Sequence, residues 1–107
     1  MEAAIRALVE PRRRRILELV RNDELTAGEI ASAFDVTRPA VSQHLTVLKH
    51  AGLLEERREG TRRLYRARAE GMAGVREFIE TFWDGQLERL RLAAELEEGR
   101  RSGSSPG

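Results

Sequence analysis

The chain has 107 residues, with 19 Lys and Arg against 18 Asp and Glu, and it has no cysteine. That length predicts one small domain, and the absence of thiols excludes a disulfide scaffold, thiolate metal sites and a cysteine nucleophile. No apolar run approaches the roughly 18 residues of a membrane helix, and the N-terminus lacks the apolar segment of a signal peptide. We therefore expect a cytoplasmic protein with no membrane partner.

The nearly neutral total conceals an uneven distribution of charge. Residues 1–68 carry 14 basic and 10 acidic side chains, whereas residues 69–107 carry 5 and 8. The basic excess is concentrated in residues 37–68, with 8 basic against 3 acidic side chains. All basic residues except Lys49 are arginine, the side chain suited to bidentate contacts with phosphate and guanine. Residues 37–68 are therefore a candidate surface for a polyanion.

Two short helices are predicted at the N-terminus. The first spans residues 2–9 and is interrupted at Pro11, where a second helix begins and continues to about residues 22–23. The second helix opens with the run Arg12–Arg15. Because successive helical residues point about 100° apart, these arginines have different surroundings. We expect one or two of them to meet phosphate and the others to be solvated or paired with nearby glutamates.

A third and a fourth helix follow, separated by a three-residue turn. Thr26 and Glu29 have the spacing of a capping box, which predicts the start of the third helix. The turn is residues 35–37, and its last residue is a good helix cap. Gly52 lies just past the expected end of the fourth helix, which is predicted over residues 38–51.

A hairpin and one long helix are predicted for the rest of the chain. Extended stretches at 53–58 and 61–67 flank Glu59-Gly60, a signal for a two-residue hairpin turn. Apolar residues at helical intervals predict the long helix over residues 71–98. Residues 99–107 contain mainly Gly, Ser, Pro and Arg, and we expect a disordered tail there.

Short helices followed by a hairpin predict a mainly α fold, the winged helix-turn-helix, as a single domain over residues 1–98. The fourth helix is then the recognition helix, with Val41, Leu45 and Leu48 facing the core. Gln bonds adenine at two positions, Ser and Thr meet several base edges, Arg grips guanine, and an apolar ring touches the thymine methyl group. An ordinary solvated helix face is the alternative, but this helix contains no Asp or Glu. The predicted base-reading residues are Arg38, Pro39, Ser42, Gln43 and Thr46.

The hairpin carries arginines on both sides of its turn. Such a group can neutralise phosphates or enter the minor groove of double-stranded DNA. The alternative is a solvated hairpin in which neighbouring glutamates pair with these arginines. The predicted contacts with the DNA backbone are Arg57, Arg58, Arg62 and Arg63 on the hairpin, Lys49 on the fourth helix and Arg13 on the second helix.

The last helix carries an apolar stripe that a small core has little room to cover. Three of the five aromatic residues lie within one and a half turns of it. A homodimer interface would bury them, and its symmetry would place two recognition helices about 34 Å apart, one turn of the duplex. The alternative is a helix that folds back onto its own domain. The predicted interface comprises Ile5, Leu8, Phe78, Phe82, Trp83, Leu87 and Leu90.

Several linked motifs occur in one order along the first two thirds of the chain. They are LVEPRRRRIL at 8–17, ELTAGEI at 24–30, SQHL at 42–45, LKHAGLL at 48–54 and REGTRRLY at 58–65. Together they resemble the ArsR/SmtB repressor family, and the resemblance covers about residues 4–68. The resemblance implies a homodimeric repressor that binds a palindromic operator, often at its own promoter, and leaves it when an effector binds. It also implies packing and a phosphate contact for His44, the histidine of the Ser-x-His-Leu motif.

The sequence departs from the metal-sensing members of that family. The positions that carry their cysteines are Thr26 and Gly28 here. His44 and His50 are about 120° apart in projection along their helix, a poor arrangement for one ion. We therefore expect a branch without the metal-binding cysteines and without a cofactor.

The same residues bear on two other kinds of function. Ser42 and His44 point about 200° apart on a helix, so the histidine cannot serve the serine as a base, and we expect no enzyme. The alternatives to a repressor are a winged-helix dimer that acts as a protein-interaction module and a regulator that responds to a small molecule.

Overall fold

The computed structural model describes the backbone of residues 1–104 and the side chains of residues 1–99. The elements are helices α1 (Glu2–Val9), α2 (Pro11–Leu19), α3 (Ala27–Ser32) and α4 (Arg38–His50), strands β1 (Leu54–Glu59) and β2 (Arg62–Ala67), and helix α5 (Ala69–Ser104). This order confirms the predicted mainly α fold with one hairpin. The chain divides into two units, residues 1–75 and the remainder from Arg76 onward.

The caps predicted for α3 and α4 are both present. Thr26 Oγ1 accepts a hydrogen bond from the Glu29 amide at 3.2 Å, and Glu29 Oε1 accepts one from the Thr26 amide at 3.0 Å. This reciprocal capping box satisfies two amides at the start of α3. Thr37 Oγ1 accepts from the Ala40 amide at 3.3 Å and so caps the start of α4.

Two glycines allow the chain to turn after α4 and the first turn of α5 to lie directly against that turn. Gly52 has a φ of 77°, the left-handed conformation that ends many helices. Gly71, in the first turn of α5, lies against that turn, because a Cβ atom built on it would be 1.9 Å from the Gly52 carbonyl oxygen. Only glycine fits at 71 without a shift of the backbone.

The hairpin turns one residue later than the sequence predicted. Glu59 pairs with Arg62, so the two loop residues are Gly60 and Thr61. Gly60 has a φ of 62° and is the first loop residue, which matches a type II′ turn. Away from the turn, the hairpin is tied to the segment between α2 and α3, since the Tyr65 amide donates to the Leu25 carbonyl at 2.8 Å.

The core of residues 1–75 brings together one face of each helix with the base of the hairpin. The predicted inner stripe of α4 is confirmed, since Val41, Leu45 and Leu48 are all buried. The other buried residues of this cluster are Ala4, Ala7, Ile16, Leu17, Val20, Ile30, Leu53, Leu54 and Val75. Within the part of the chain that the structure describes, no helix is long and apolar enough to cross a membrane.

Helix α5 is longer than predicted at both ends. It begins at Ala69 and runs to Ser104, so the disordered tail expected from residue 99 is wrong for residues 99–104. The Glu-, Leu-, Ala- and Arg-rich stretch before Gly99 favours helix strongly enough to propagate through weaker helix formers. Residues 105–107 of the predicted tail lie outside the described residues. Helix α2, in contrast, ends at Leu19, three residues before its predicted end.

Candidate nucleic-acid interface

Helix α4 presents the five predicted base-reading side chains to solvent. Arg38, Pro39, Ser42, Gln43 and Thr46 are all exposed, and the buried stripe beneath them fixes the helix to the core. Thr46 Oγ1 donates to the Ser42 carbonyl at 3.0 Å. Within residues 1–99, the side chains of Arg38 and Gln43 form no hydrogen bond. Their donors and acceptors are therefore available to a ligand.

The arginine run at the start of α2 has a structural role that its sequence did not predict. Arg13 Nε donates to the Ala7 carbonyl at 2.7 Å, and Arg14 Nη1 donates to the Leu8 carbonyl at 2.6 Å. Longer bonds from the same two guanidinium groups reach the carbonyls of Arg6 and Val9. These are the four carbonyls that the last turn of a helix leaves without partners. The sequence signal for this cap was a helix that ends at a proline and is followed directly by arginines, whose side chains can donate to the last carbonyls.

Arg13 also connects this cap to the recognition helix. Its Nη1 lies 3.4 Å from His44 Nδ1. A guanidinium group only donates hydrogen bonds, so Nδ1 is the acceptor and the ring proton of neutral His44 is on Nε2. Burial, and then the positive charge of Arg13, lower the pKa of His44 below its ordinary value of 6.5. His44 is therefore a neutral donor at pH 7.

These contacts change the interpretation of Arg13. The sequence predicts that it contacts the DNA backbone, whereas the structure engages its guanidinium group with α1 and His44. The phosphate contact of Arg13 stays a prediction. Arg15 lies 5.8 Å from the centre of the Phe34 ring. In residues 1–99, Arg12 is the member of the run whose side chain forms no hydrogen bond, ion pair or ring contact.

Three of the four hairpin arginines that are predicted to contact the DNA backbone are paired with carboxylates. Arg57 Nε lies 2.5 Å from Glu24 and its Nη2 lies 3.1 Å from Glu59. Arg62 lies 3.6 Å from Glu29, and Arg63 lies 3.5 Å from Glu56. The alternative for the hairpin, in which neighbouring glutamates pair with its arginines, therefore does occur.

Pairing leaves these arginines accessible to a stronger anion. The side chains of Arg57, Arg62 and Arg63 are 54%, 58% and 57% exposed. Exposed pairs of this kind contribute about 0–1 kcal/mol, so a phosphate can displace the carboxylate. Arg58 is exposed and has no carboxylate within ion-pair distance in residues 1–99.

Lys49 joins the recognition helix to the hairpin. It lies in the last turn of α4 and donates to Glu56 Oε2 on β1. The Glu56 carboxylate is thus shared between Lys49 and Arg63, two of the predicted backbone contacts. The Lys49 hydrogen bond and the charges of these two cations lower the pKa of Glu56 below its ordinary value, against the effect of burial.

The predicted interface residues occupy two kinds of environment. Ile5 and Leu8 are half-buried and pack against the core of residues 1–75. The predicted α5 residues are exposed, with 46% of Phe78, 56% of Trp83 and 64% of Leu90 accessible. With Ile79, these side chains fall within one half of the circumference of α5. Among the described residues, no group of three or more His, Asp or Glu side chains could hold a metal ion.

An exposed, acid-free recognition helix beside an arginine hairpin, on three short helices, defines a winged helix-turn-helix DNA-binding protein. A family model described as "Bacterial regulatory protein, arsR family" matches residues 10–56. The chain belongs to this ArsR family, whose members are transcriptional regulators and not enzymes.

Comparison with individual proteins agrees with this membership. The HTH-type transcriptional regulator Rv2034 of Mycobacterium tuberculosis is 44% identical over 86 residues, which are 80% of each chain. The transcriptional repressor SdpR of Bacillus subtilis is 38% identical over 60 residues, 56% of this chain and 67% of that protein. The solution structure of the homodimeric winged helix-turn-helix DNA-binding domain of Mb0332 from Mycobacterium bovis has a TM-score of 0.64 and 35% identity, and it covers 82% of each chain.

Proposed function

We propose that this regulator is a homodimeric repressor that acts in the cytoplasm and binds a palindromic operator in double-stranded DNA. The observation that carries the proposal is the exposed face of α4, where Arg38, Ser42 and Gln43 project from a helix without acidic residues. A relative named as a repressor, SdpR, supports the direction of regulation. The protein's own promoter is the first operator to test.

Within the interface, base reading and backbone binding fall to different elements. Base edges in the major groove are read by Pro39, Ser42, Gln43 and Thr46. Arg38 lies at the N-terminal end of α4, the end that enters the groove first. The hairpin arginines, with Lys49 and His44, hold phosphates and set the register. His44 contributes its Nε2–H as a neutral donor, because Arg13 occupies Nδ1.

Symmetry supports the dimer and the palindrome together. The exposed stripe of α5 requires a partner of the same apolar character, and a second copy supplies it. The related Mb0332 domain is homodimeric. Two recognition helices related by a two-fold axis read an inverted repeat. In each protomer, α4 and the hairpin contact DNA while α5 holds the partner, so residues 1–98 act as one functional domain.

The proposed regulator does not respond to metals through cysteine sites. The chain has no cysteine, so an effector that releases this protein binds through other groups. No cofactor is needed for the proposed DNA contacts.

Selection of bound duplexes from a random pool tests the proposal. We expect enriched duplexes to share an inverted repeat with half-sites about 10 base pairs apart. Replacing Gln43 by Ala then costs about 1–3 kcal/mol at one base position and leaves binding to a base-scrambled duplex nearly unchanged. Arg62→Ala weakens binding to both duplexes and reduces the salt dependence.

Arg6→Ala is a matched control for Arg62→Ala, because Arg6 is an exposed, paired arginine on α1, outside the proposed interface. It leaves both affinities close to wild type. A pool without enrichment contradicts the proposal. Equal effects of Gln43→Ala on selected and scrambled duplexes contradict the division between base and backbone contacts.

A further inference from the structure

Glu56 is an acidic residue placed inside a surface that otherwise attracts phosphate. It lies in the middle of β1, opposite Tyr65 on β2, and only 15% of its side chain is exposed. One carboxylate oxygen accepts from Lys49 on α4, and the other lies 3.5 Å from Arg63 Nε on β2. A single carboxylate thus contacts a cation on the recognition helix and a cation on the wing.

The other acidic residues of the hairpin have different positions. Glu55 is exposed on the opposite face of β1 and forms no ion pair within residues 1–99. Glu59 lies at the hairpin tip with 60% of its side chain exposed, and it pairs with Arg57 on its own strand. Among these three glutamates, Glu56 is the one whose contacts span two elements. Its low exposure also makes its ion pairs less screened by solvent than those at the tip.

A negative charge at this position opposes DNA binding by simple electrostatics. Helix α4 contains no acidic residue, so the recognition helix itself avoids this cost. The geometry offers a compensating role, since both oxygens of Glu56 are used to hold Lys49 and Arg63 at a fixed separation. Through Lys49, these contacts join the wing to the end of α4.

We propose that Glu56 is a positioning residue for sequence-specific DNA binding: it holds the wing against the end of α4, so that base-reading and phosphate-binding groups engage one register of the duplex. The inference rests on the proposed function of the chain as a sequence-specific regulator. Glu56 itself does not touch DNA. Its removal therefore lowers discrimination between sequences and does not lower the general affinity for DNA.

Glu56→Gln and Glu55→Gln form a matched pair of variants, because each removes one negative charge from neighbouring residues of the same strand. Electrostatics alone raises the affinity of both variants for every duplex. We expect the ratio of affinities for a pool-selected and a base-scrambled duplex to fall about tenfold in Glu56→Gln. In Glu55→Gln the ratio stays within about twofold of wild type.

A double-mutant cycle identifies the partner through which Glu56 acts. In the Lys49→Gln or Arg63→Gln background, the effect of Glu56→Gln on the ratio shrinks to about twofold or less. The single variants Lys49→Gln and Arg63→Gln each remove one of the two cations that contact Glu56. They therefore test the same contacts even if Glu56→Gln folds poorly. Equal ratios in Glu56→Gln and Glu55→Gln, or an undiminished effect in both backgrounds, overturn the proposal. A wild-type protein that does not discriminate between the two duplexes overturns the proposed function instead.

Discussion

Replacing Trp83 by Arg tests the role of the exposed stripe on α5. In the isolated chain 56% of Trp83 is accessible, which is about 100 Å² of a side chain that can bury 150–250 Å². At about 25 cal/mol per Å², covering this area contributes about 2.5 kcal/mol per protomer and about 5 kcal/mol for the two symmetric copies. Loss of that contribution raises the dimer dissociation constant by about three to four orders of magnitude.

Sedimentation or light scattering at micromolar concentration reads this change directly. We expect the wild type to be a dimer and Trp83→Arg to be a monomer with weak binding to a palindromic duplex. Thr81→Arg is the matched control, because Thr81 is exposed on the same helix about 200° from Trp83; it adds the same charge and leaves the dimer intact. A Trp83→Arg protein with the mass of a dimer would refute the assignment of this stripe to the interface.

Three further predictions concern the folded monomer. Gly71→Ala places a methyl group 1.9 Å from a backbone carbonyl oxygen and should cost about 1–3 kcal/mol in denaturant unfolding. Gly74→Ala on the same helix is the control, because its methyl group makes an ordinary 3.6 Å contact with the Met1 side chain, and it should stabilise by about 0.5–1 kcal/mol. Equal effects of the two changes would contradict the close approach. Arg13→Ala should cost about 1–3 kcal/mol, because it leaves the part-buried Ala7 carbonyl of α1 without its donor. Arg12→Ala should stay within about 0.5 kcal/mol, and similar losses in both variants would contradict the cap. The pKa of His44 is lowered in the folded protein, so as the pH falls His44 is protonated in the unfolded chain before it is protonated in the folded one. The free energy of unfolding should therefore decrease as the pH drops below 6.5. His44→Gln should remove this component of the pH dependence, and a pH profile of the variant that superimposes on that of the wild type would refute the contribution.

Much of the fold could be predicted because its signals are local. Capping residues, Pro11 and Gly52 mark helix ends by the groups they supply or lack, and the inner stripe of α4 follows from helical periodicity alone. The hairpin turn was misplaced by one residue because type I′ and type II′ turns put glycine at different loop positions. The end of α5 was misplaced because Gly and Ser weaken a helix without stopping it.

The contacts within the site could be predicted less well, because they join residues far apart in the sequence. The link from Arg13 to His44 spans 31 residues and that from Arg57 to Glu24 spans 33. Residue types alone identified the cations and left open which carboxylate each would meet. Charge counting treats Glu56 as one more acid on the hairpin, and only the packing of β1 against the end of α4 distinguishes it from Glu55.

Titration of a pool-selected duplex and its base-scrambled version between 50 and 200 mM salt separates a sequence-specific DNA-binding regulator from a protein with another function. We expect two chains per selected duplex and a preference for it of about a thousandfold or more. We also expect a loss of about 10³–10⁵ in affinity across that salt range, as for 6–10 phosphate contacts. Equal affinity for the two duplexes with little dependence on salt would contradict a sequence-specific DNA-binding regulator that uses α4 and the arginine hairpin.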